Sequence, residues 1–296
     1  MKTLDARTRV SLKNILYATD YSPAARAALP YALGIARRYC STVYVVHVRT
    51  PEVCAMAPIE TWPALAEATQ KQEQEEIAVL QEQLGSVPHQ VRIGEGDTVG
   101  VISRTIRENE IDLLVIGTRG RTGLEKVLLG SVAEQLFRQV TCPVLTVGPH
   151  ASANVEQLLE MREILCATDF SPESLAAVPY AVSLAQEHDA QLCLLYVLDR
   201  ADAAILHPEL SAASLLHRLH ELVPPEAELW CHPKCLVKYG APADQILELA
   251  KTRHADLIVL GVRHAEGRLG ASAHLPWATA HKVVSQAECP VLTVRG

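Results

Sequence analysis

The chain has 296 residues, enough for about two domains of ordinary size. Its hydrophobic fraction of 49% suffices for ordinary cores, and its net charge of -7 argues against a broad electrostatic grip on nucleic acid or anionic lipid. No run of about 18 apolar residues offers a membrane span, and Met1 to Ser11 lacks the apolar core of a signal peptide. Eight cysteines scattered without a secreted-domain framework point to reduced thiols and a cytoplasmic location.

In chain order, Asn14 to Thr19 reads as an apolar strand. Ser22 is a helix cap with Pro23 at the first helical position, where a missing N–H costs nothing. That helix runs to about Arg38, with Ala28, Tyr31, Ala32 and Ile35 on one face. Thr42 to Val48 is a β-branched second strand. Arg49 to Pro63 reads as a loop, Ala64 to Leu84 as a helix with a solvated Glu/Gln/Lys face, and His89 to Ile93 as a third strand. Thr98 to Glu108 forms a third helix, and Leu113 to Ile116 a buried fourth strand ending at Gly117. Ser131 and Glu134 have capping-box spacing, so a fourth helix should open at Ser131. Pro143 to Val147 is the fifth strand.

The whole pattern then recurs. Asn14-Ile15-Leu16-Tyr17-Ala18-Thr19-Asp20-Tyr21-Ser22-Pro23 is echoed by Glu163-Ile164-Leu165-Cys166-Ala167-Thr168-Asp169-Phe170-Ser171-Pro172, and Cys142-Pro143-Val144-Leu145-Thr146-Val147 by Cys289-Pro290-Val291-Leu292-Thr293-Val294. A repeat this long is a duplicated domain. The expected division is 1–148 and 161–296, joined by a linker over 149–160 that holds the polar stretch His150 to Gln157. Alternating strands and helices predict an open parallel α/β sheet in each copy, with helices on both faces. The fifth strands, Val144 to Val147 and Val291 to Val294, would be bare apolar edges unless they pair with each other within the chain.

The stretch from Leu113 to Gly148 carries the chemistry. Glycines let backbone approach a ligand closely, and a helix N-terminus offers unpaired N–H groups with a partial positive charge. Arg119, Arg121 and Lys126 add cations to the same loop, so phosphate is the natural guest. No Gly-Lys-Ser/Thr follows the glycines, which excludes a Walker A loop, and G-x-G-x-x-G is also missing. Gly117, two residues, Gly120, nine residues, then Gly130-Ser131 resembles the ATP-binding signature of the universal stress protein family. The resemblance implies strand order 3-2-1-4-5 in each copy, the adenine nucleotide α-hydrolase-like arrangement, with the order reversing between the first and fourth strands. Ligands bind at such reversals, beyond the strand C-termini. It also implies ATP as ligand, with an accompanying magnesium ion left open. Ala18, Thr19 and Asp20 would lie near the adenosine, and backbone near Val46 and Val48 would meet adenine. Gly117, Gly120, Gly130, Ser131 and Val132 would surround the phosphates, with Arg119 and Lys126 assisting.

The second copy departs from this pattern. Asp169 and Gly261 survive, but His264 stands in place of the second glycine. Counting forward from Gly261 puts His274-Leu275 at the Gly-Ser position, and counting back from Cys289 puts Trp277-Ala278 there. Either register loses both residues, so this copy is expected to bind ATP weakly or not at all. Cys231 and Cys235 are read as small packed side chains of a strand, since no second cysteine pair follows to complete a zinc set. No catalytic motif stands out. The leading expectation is a nucleotide-dependent stress-response regulator, with a homodimer left open. The alternatives are a slow ATPase or self-phosphorylating protein using Ser131, Thr118 or Thr122, and a scaffold indifferent to nucleotide.

Overall fold

An apolar strand must be covered on both faces, and a helix with one apolar stripe can cover only one. The computed structural model of the protein satisfies both needs with helices above and below one sheet. It describes residues 10–49, 62–118, 129–148, 151, 161–198, 211–225, 227, 233–262 and 274–296, with side chains undescribed at 62–66 and 274–277. The first copy runs β1 Asn14–Ala18, α1 Pro23–Tyr39, β2 Thr42–Arg49, α2 Trp62–Leu84, β3 His89–Glu95, α3 Thr98–Glu108, β4 Leu113–Gly117, α4 Ser131–Gln139 and β5 Val144–Val147. The second runs β6 Glu163–Ala167, α5 Pro172–His188, β7 Gln191–Leu198, α6 Ala212–Glu221, β8 Lys234–Tyr239, α7 Pro242–Arg253, β9 Leu257–Val262, α8 His274–Gln286 and β10 Val291–Arg295.

Local chemistry sets several of these boundaries. The Ser22 hydroxyl accepts the Ala25 N–H to open α1, and the Ser171 hydroxyl accepts the Ser174 N–H to open α5, each with proline next in line. Asp97 caps α3 through the Gly100 N–H at 2.7 Å. Three expectations need correcting. Arg49 belongs to β2 and α2 begins at Trp62, so the connection between them is shorter than Arg49 to Pro63. β3 continues to Glu95 because β2 stays alongside it as far as Arg49. Ser131 does not cap α4: Gly130 takes the N-cap place, and Glu134 pairs with Arg138 at 2.9 Å instead of reaching back.

Within each copy the strands are parallel and follow the order 3-2-1-4-5, and together they form one 10-stranded sheet, β3-β2-β1-β4-β5-β10-β9-β6-β7-β8. The seam is the antiparallel β5–β10 pair, with Val291 opposite Thr146, Leu292 opposite Leu145 and Thr293 opposite Val144. Two threonines reinforce it: the Thr146 hydroxyl donates to the Val291 carbonyl at 3.1 Å, and the Thr293 hydroxyl to the Val144 carbonyl at 3.2 Å. The edge strands that would otherwise template aggregation therefore cover one another. One core lies under α1, α2, α5 and α6 and includes Leu145, Val147, Leu292 and Val294, so it runs unbroken across the seam. The other lies under α3, α4, α7 and α8.

Other polar ties also cross between the copies: the Val10 N–H donates to the Ser183 hydroxyl at 2.8 Å, and another comes from Arg295. The Arg295 guanidinium donates to the Phe137 carbonyl in the last turn of α4 at 2.7 Å. A cation is favoured there because the helix dipole leaves partial negative charge at that end. The matching position after β5 is Gly148, which cannot return the contact.

Candidate functional site

The crevice forms where β1 ends between β2 and β4. β1 pairs with β2 as far as Ala18 opposite Val46, and with β4 only as far as Tyr17 opposite Val115. The chain then turns sharply. The Thr19 N–H donates to the Val46 carbonyl at 2.9 Å, the Tyr21 N–H to the Thr19 hydroxyl at 3.0 Å, and the Ser22 N–H to the Asp20 carboxylate at 3.0 Å. Tyr21 sits at φ 61, in the left-handed region where a non-glycine residue is uncommon. Asp20 thus has a structural duty in the turn, and it stays partly exposed. Val46 already gives its carbonyl to Thr19. Val48 lies one pleat further on, so its N–H and C=O point to the side that β1 has vacated. Val48 is the better placed of the two for a backbone contact with a flat ring.

On the other flank, Gly117 ends β4 opposite Val147 of β5. Its bareness is needed for packing: a Cβ there would sit 2.5 Å from the Ala24 carbonyl oxygen in the first turn of α1. The same holds for Gly261, whose Cβ would lie 2.1 Å from the Glu173 carbonyl oxygen of α5. Both copies keep this glycine because both press a helix start against the fourth strand of the repeat. Gly117 is therefore explained without a ligand.

Thr118 comes next. Its N–H donates to the Val147 carbonyl at 3.0 Å, and its carbonyl accepts the Gly130 N–H at 2.8 Å, which fixes the start of α4 beside the end of β4. Its side chain is 3% exposed, and its hydroxyl finds no hydrogen-bond partner among the described residues. A buried hydroxyl without a partner is costly and calls for an explanation. Ser131 and Val132, in the first turn of α4, are exposed. The arrangement presents helix N–H groups and a dry hydroxyl beside the strand-order reversal, which suits an anionic ligand. Arg119, Gly120 and Lys126 lie outside the described residues, as do Arg121 and Thr122.

The second copy builds the β6 end in the same way. The Thr168 N–H donates to the Leu195 carbonyl, the Phe170 N–H to the Thr168 hydroxyl, and the Ser171 N–H to the Asp169 carboxylate, at 2.9, 3.0 and 2.9 Å. Burial pushes the Asp169 carboxyl up, but hydrogen bonds from Ser171 and Ser174 outweigh it and hold the carboxyl below its usual range. The fourth helix of this copy differs. α4 starts at Ser131 and α8 at His274, yet each ends at a glutamine shortly before its Cys-Pro pair. α8 has 13 residues against 9 in α4, about one extra turn at its N-terminus. That turn includes Pro276, which has no N–H to offer. Where the first copy has Thr118, the second has the buried Val262. Cys235 lies on β8 and is packed against the first core; Cys231 is outside the described residues.

The residues that the spacing alone does not flag are Tyr21 and His47. The His47 ring packs on Tyr21 with centroids 4.4 Å apart, and its Nδ1 lies 2.8 Å from the Thr19 carbonyl oxygen. A lone histidine in the otherwise apolar run Val43 to Val48 was the available signal.

Comparison with known proteins agrees with this fold. The model of the "Universal stress protein family" matches residues 11–148 and again 160–295. A universal stress protein of Methanocaldococcus jannaschii is 33% identical over 139 residues, covering 46% of this chain and 81% of that protein. One from Mycolicibacterium smegmatis is 27% identical over 300 residues, covering 95% of this chain and 96% of its own length. The crystal structure of a universal stress protein from Archaeoglobus fulgidus superposes with a TM-score of 0.72 at 20% identity, covering 95% of this chain and 98% of that one, and so shares its fold.

Proposed function

The chain belongs to the universal stress protein family, with two copies of the family's domain in tandem, and on that premise we propose that its first copy binds ATP while its second does not. The adenosine lies against the Ala18–Thr19–Asp20 turn and Val48, and the phosphates lie at Gly130, Ser131 and Val132, with Gly120, Arg119 and Lys126 closing over them. The protein acts as a nucleotide-dependent regulator in the stress response, its output being the changed surface around the occupied site.

The observation that carries this reading is the buried Thr118 hydroxyl, which has no partner among the described residues, beside the exposed first turn of α4. The second copy carries a methyl in its place and an added helical turn over the matching position. Calorimetric titration of the full chain should return one ATP per chain. Saturation at a hundredfold above Kd should stabilise the fold by about 2.7 kcal/mol. Gly130 has φ -61, which any residue adopts, so Gly130→Leu should leave the backbone unstrained and obstruct the ligand. An undiminished thermal shift in that variant, or two equivalent sites per chain, would overturn the assignment.

A further inference from the structure

We propose that His47 is the positioning residue of the nucleotide turn, holding Thr19–Asp20–Tyr21 in place through its ring N–H; this rests on the reading of that turn as the adenosine contact. The Thr19 carbonyl can only accept, so the His47 nitrogen 2.8 Å away must carry the hydrogen. That assigns the Nδ1–H form. The ring's other nitrogen faces the Glu73 carboxylate at 3.9 Å. Glu73 is itself fixed by the Arg49 guanidinium, whose Nε lies 3.0 and 3.1 Å from its two oxygens. His47 is 8% exposed and Glu73 6%. Both the orientation of the ring and its tilted packing on Tyr21, at 37° between the ring planes, are thereby set from outside the turn.

The turn needs such a brace, because Tyr21 is held in an unfavourable backbone region. The second copy meets the same need differently. Phe170 has φ 60, matching Tyr21. By strand register, Ala18 opposite Val46 corresponds to Ala167 opposite Leu195, so Tyr196 stands in place of His47. Tyr196 stacks on Phe170 at 5.1 Å. There the turn is tied by the Ser174 hydroxyl, 2.9 Å from the Thr168 hydroxyl and 3.3 Å from the Asp169 nitrogen. The first copy has Ala25 at that position, which offers no hydroxyl. Each copy therefore has a tie that the other lacks, and in the first copy the Arg26 guanidinium also donates to the Tyr21 carbonyl at 3.0 Å. Only the copy with the open α4 terminus uses an imidazole reaching in from β2 and α2.

The test uses the full chain and compares His47→Asn, His47→Phe, His47→Gln and the double variant His47→Phe with Ala25→Ser. Asparagine places an amide N–H at the depth of Nδ1; phenylalanine removes the donor, and glutamine carries it too far. Two quantities are read: hydrogen-exchange protection of the Tyr21 and Ser22 amides, and the ATP dissociation constant. Loss of one net hydrogen bond should lower protection about threefold to tenfold in the Phe and Gln variants, and weaken ATP similarly. The Asn variant should keep both values, and Ala25→Ser should restore them in the double variant. Unchanged protection in the Phe and Gln variants, or equal losses in the Asn variant, would refute the role. Were wild type to bind no ATP, the nucleotide reading would fail by itself, while amide protection would still decide what His47 does.

Discussion

Replacing Thr118 by valine exchanges one buried hydroxyl for a methyl of nearly the same shape. The hydroxyl is buried without a partner among the described residues, while the backbone of the same residue is fully engaged. Leaving such a group unsatisfied costs about 1–3 kcal/mol. Thr118→Val should therefore stabilise the ligand-free protein by about 1 kcal/mol, the lower end of that range. For a chain this long that is a rise in Tm of roughly 2–4 °C. The same substitution should shrink the additional rise produced by saturating ATP, since the ligand would lose the partner that the hydroxyl awaits. Calorimetric melts with and without nucleotide measure both effects in one experiment. A ligand-free variant that melts lower than wild type would show that the hydroxyl is satisfied. An undiminished ATP increment would show that it faces something other than the nucleotide.

Other outcomes follow from the same geometry. Gly117→Ala pushes a methyl into the Ala24 carbonyl at 2.5 Å, so chemical denaturation should show a loss of about 1–3 kcal/mol, without requiring any nucleotide. The Asp169 carboxyl titrates below its usual range in the fold, so its contribution is present above about pH 4 and is lost as pH falls through the folded value. Urea denaturation should accordingly show Asp169→Asn weaker than wild type at pH 7, with the gap narrowing at pH 3. Burial pushes Cys142, Cys166 and Cys289 up to about 12 and Cys193 and Cys235 up to about 11, while Cys40 is exposed. Mass mapping after brief alkylation of native protein should therefore find Cys40 modified first among these.

The duplication, the alternation of elements and the seam were legible because each rests on local pattern. Apolar runs at strand length, serine-proline helix starts and two bare fifth strands leave few alternatives. Ser22 and Ser171 could be placed as caps because proline follows each at once. Ser131 misled, although its spacing to Glu134 is that of a capping box, because the cap place is decided by the Gly130 N–H reaching Thr118 on another element. Gly117 was legible as a glycine of the signature, but its packing role was not, since its neighbour from α1 is visible only in the folded chain. The His47 brace depends on Glu73 arriving from α2, and nothing in either segment alone announces the meeting. The lengthened α8 likewise could not be read while two alignments of the second copy stood equally open.

Arg295 reaches the end of α4, and no side chain at 148 answers it. Two identical subunits related by a twofold axis must share every contact, so a one-sided tie cannot persist in a symmetric pair. Fusion of the two copies into one polypeptide removes that obligation. Each half is then free to change on its own side of the seam, and the Arg295 guanidinium is a visible trace of that freedom.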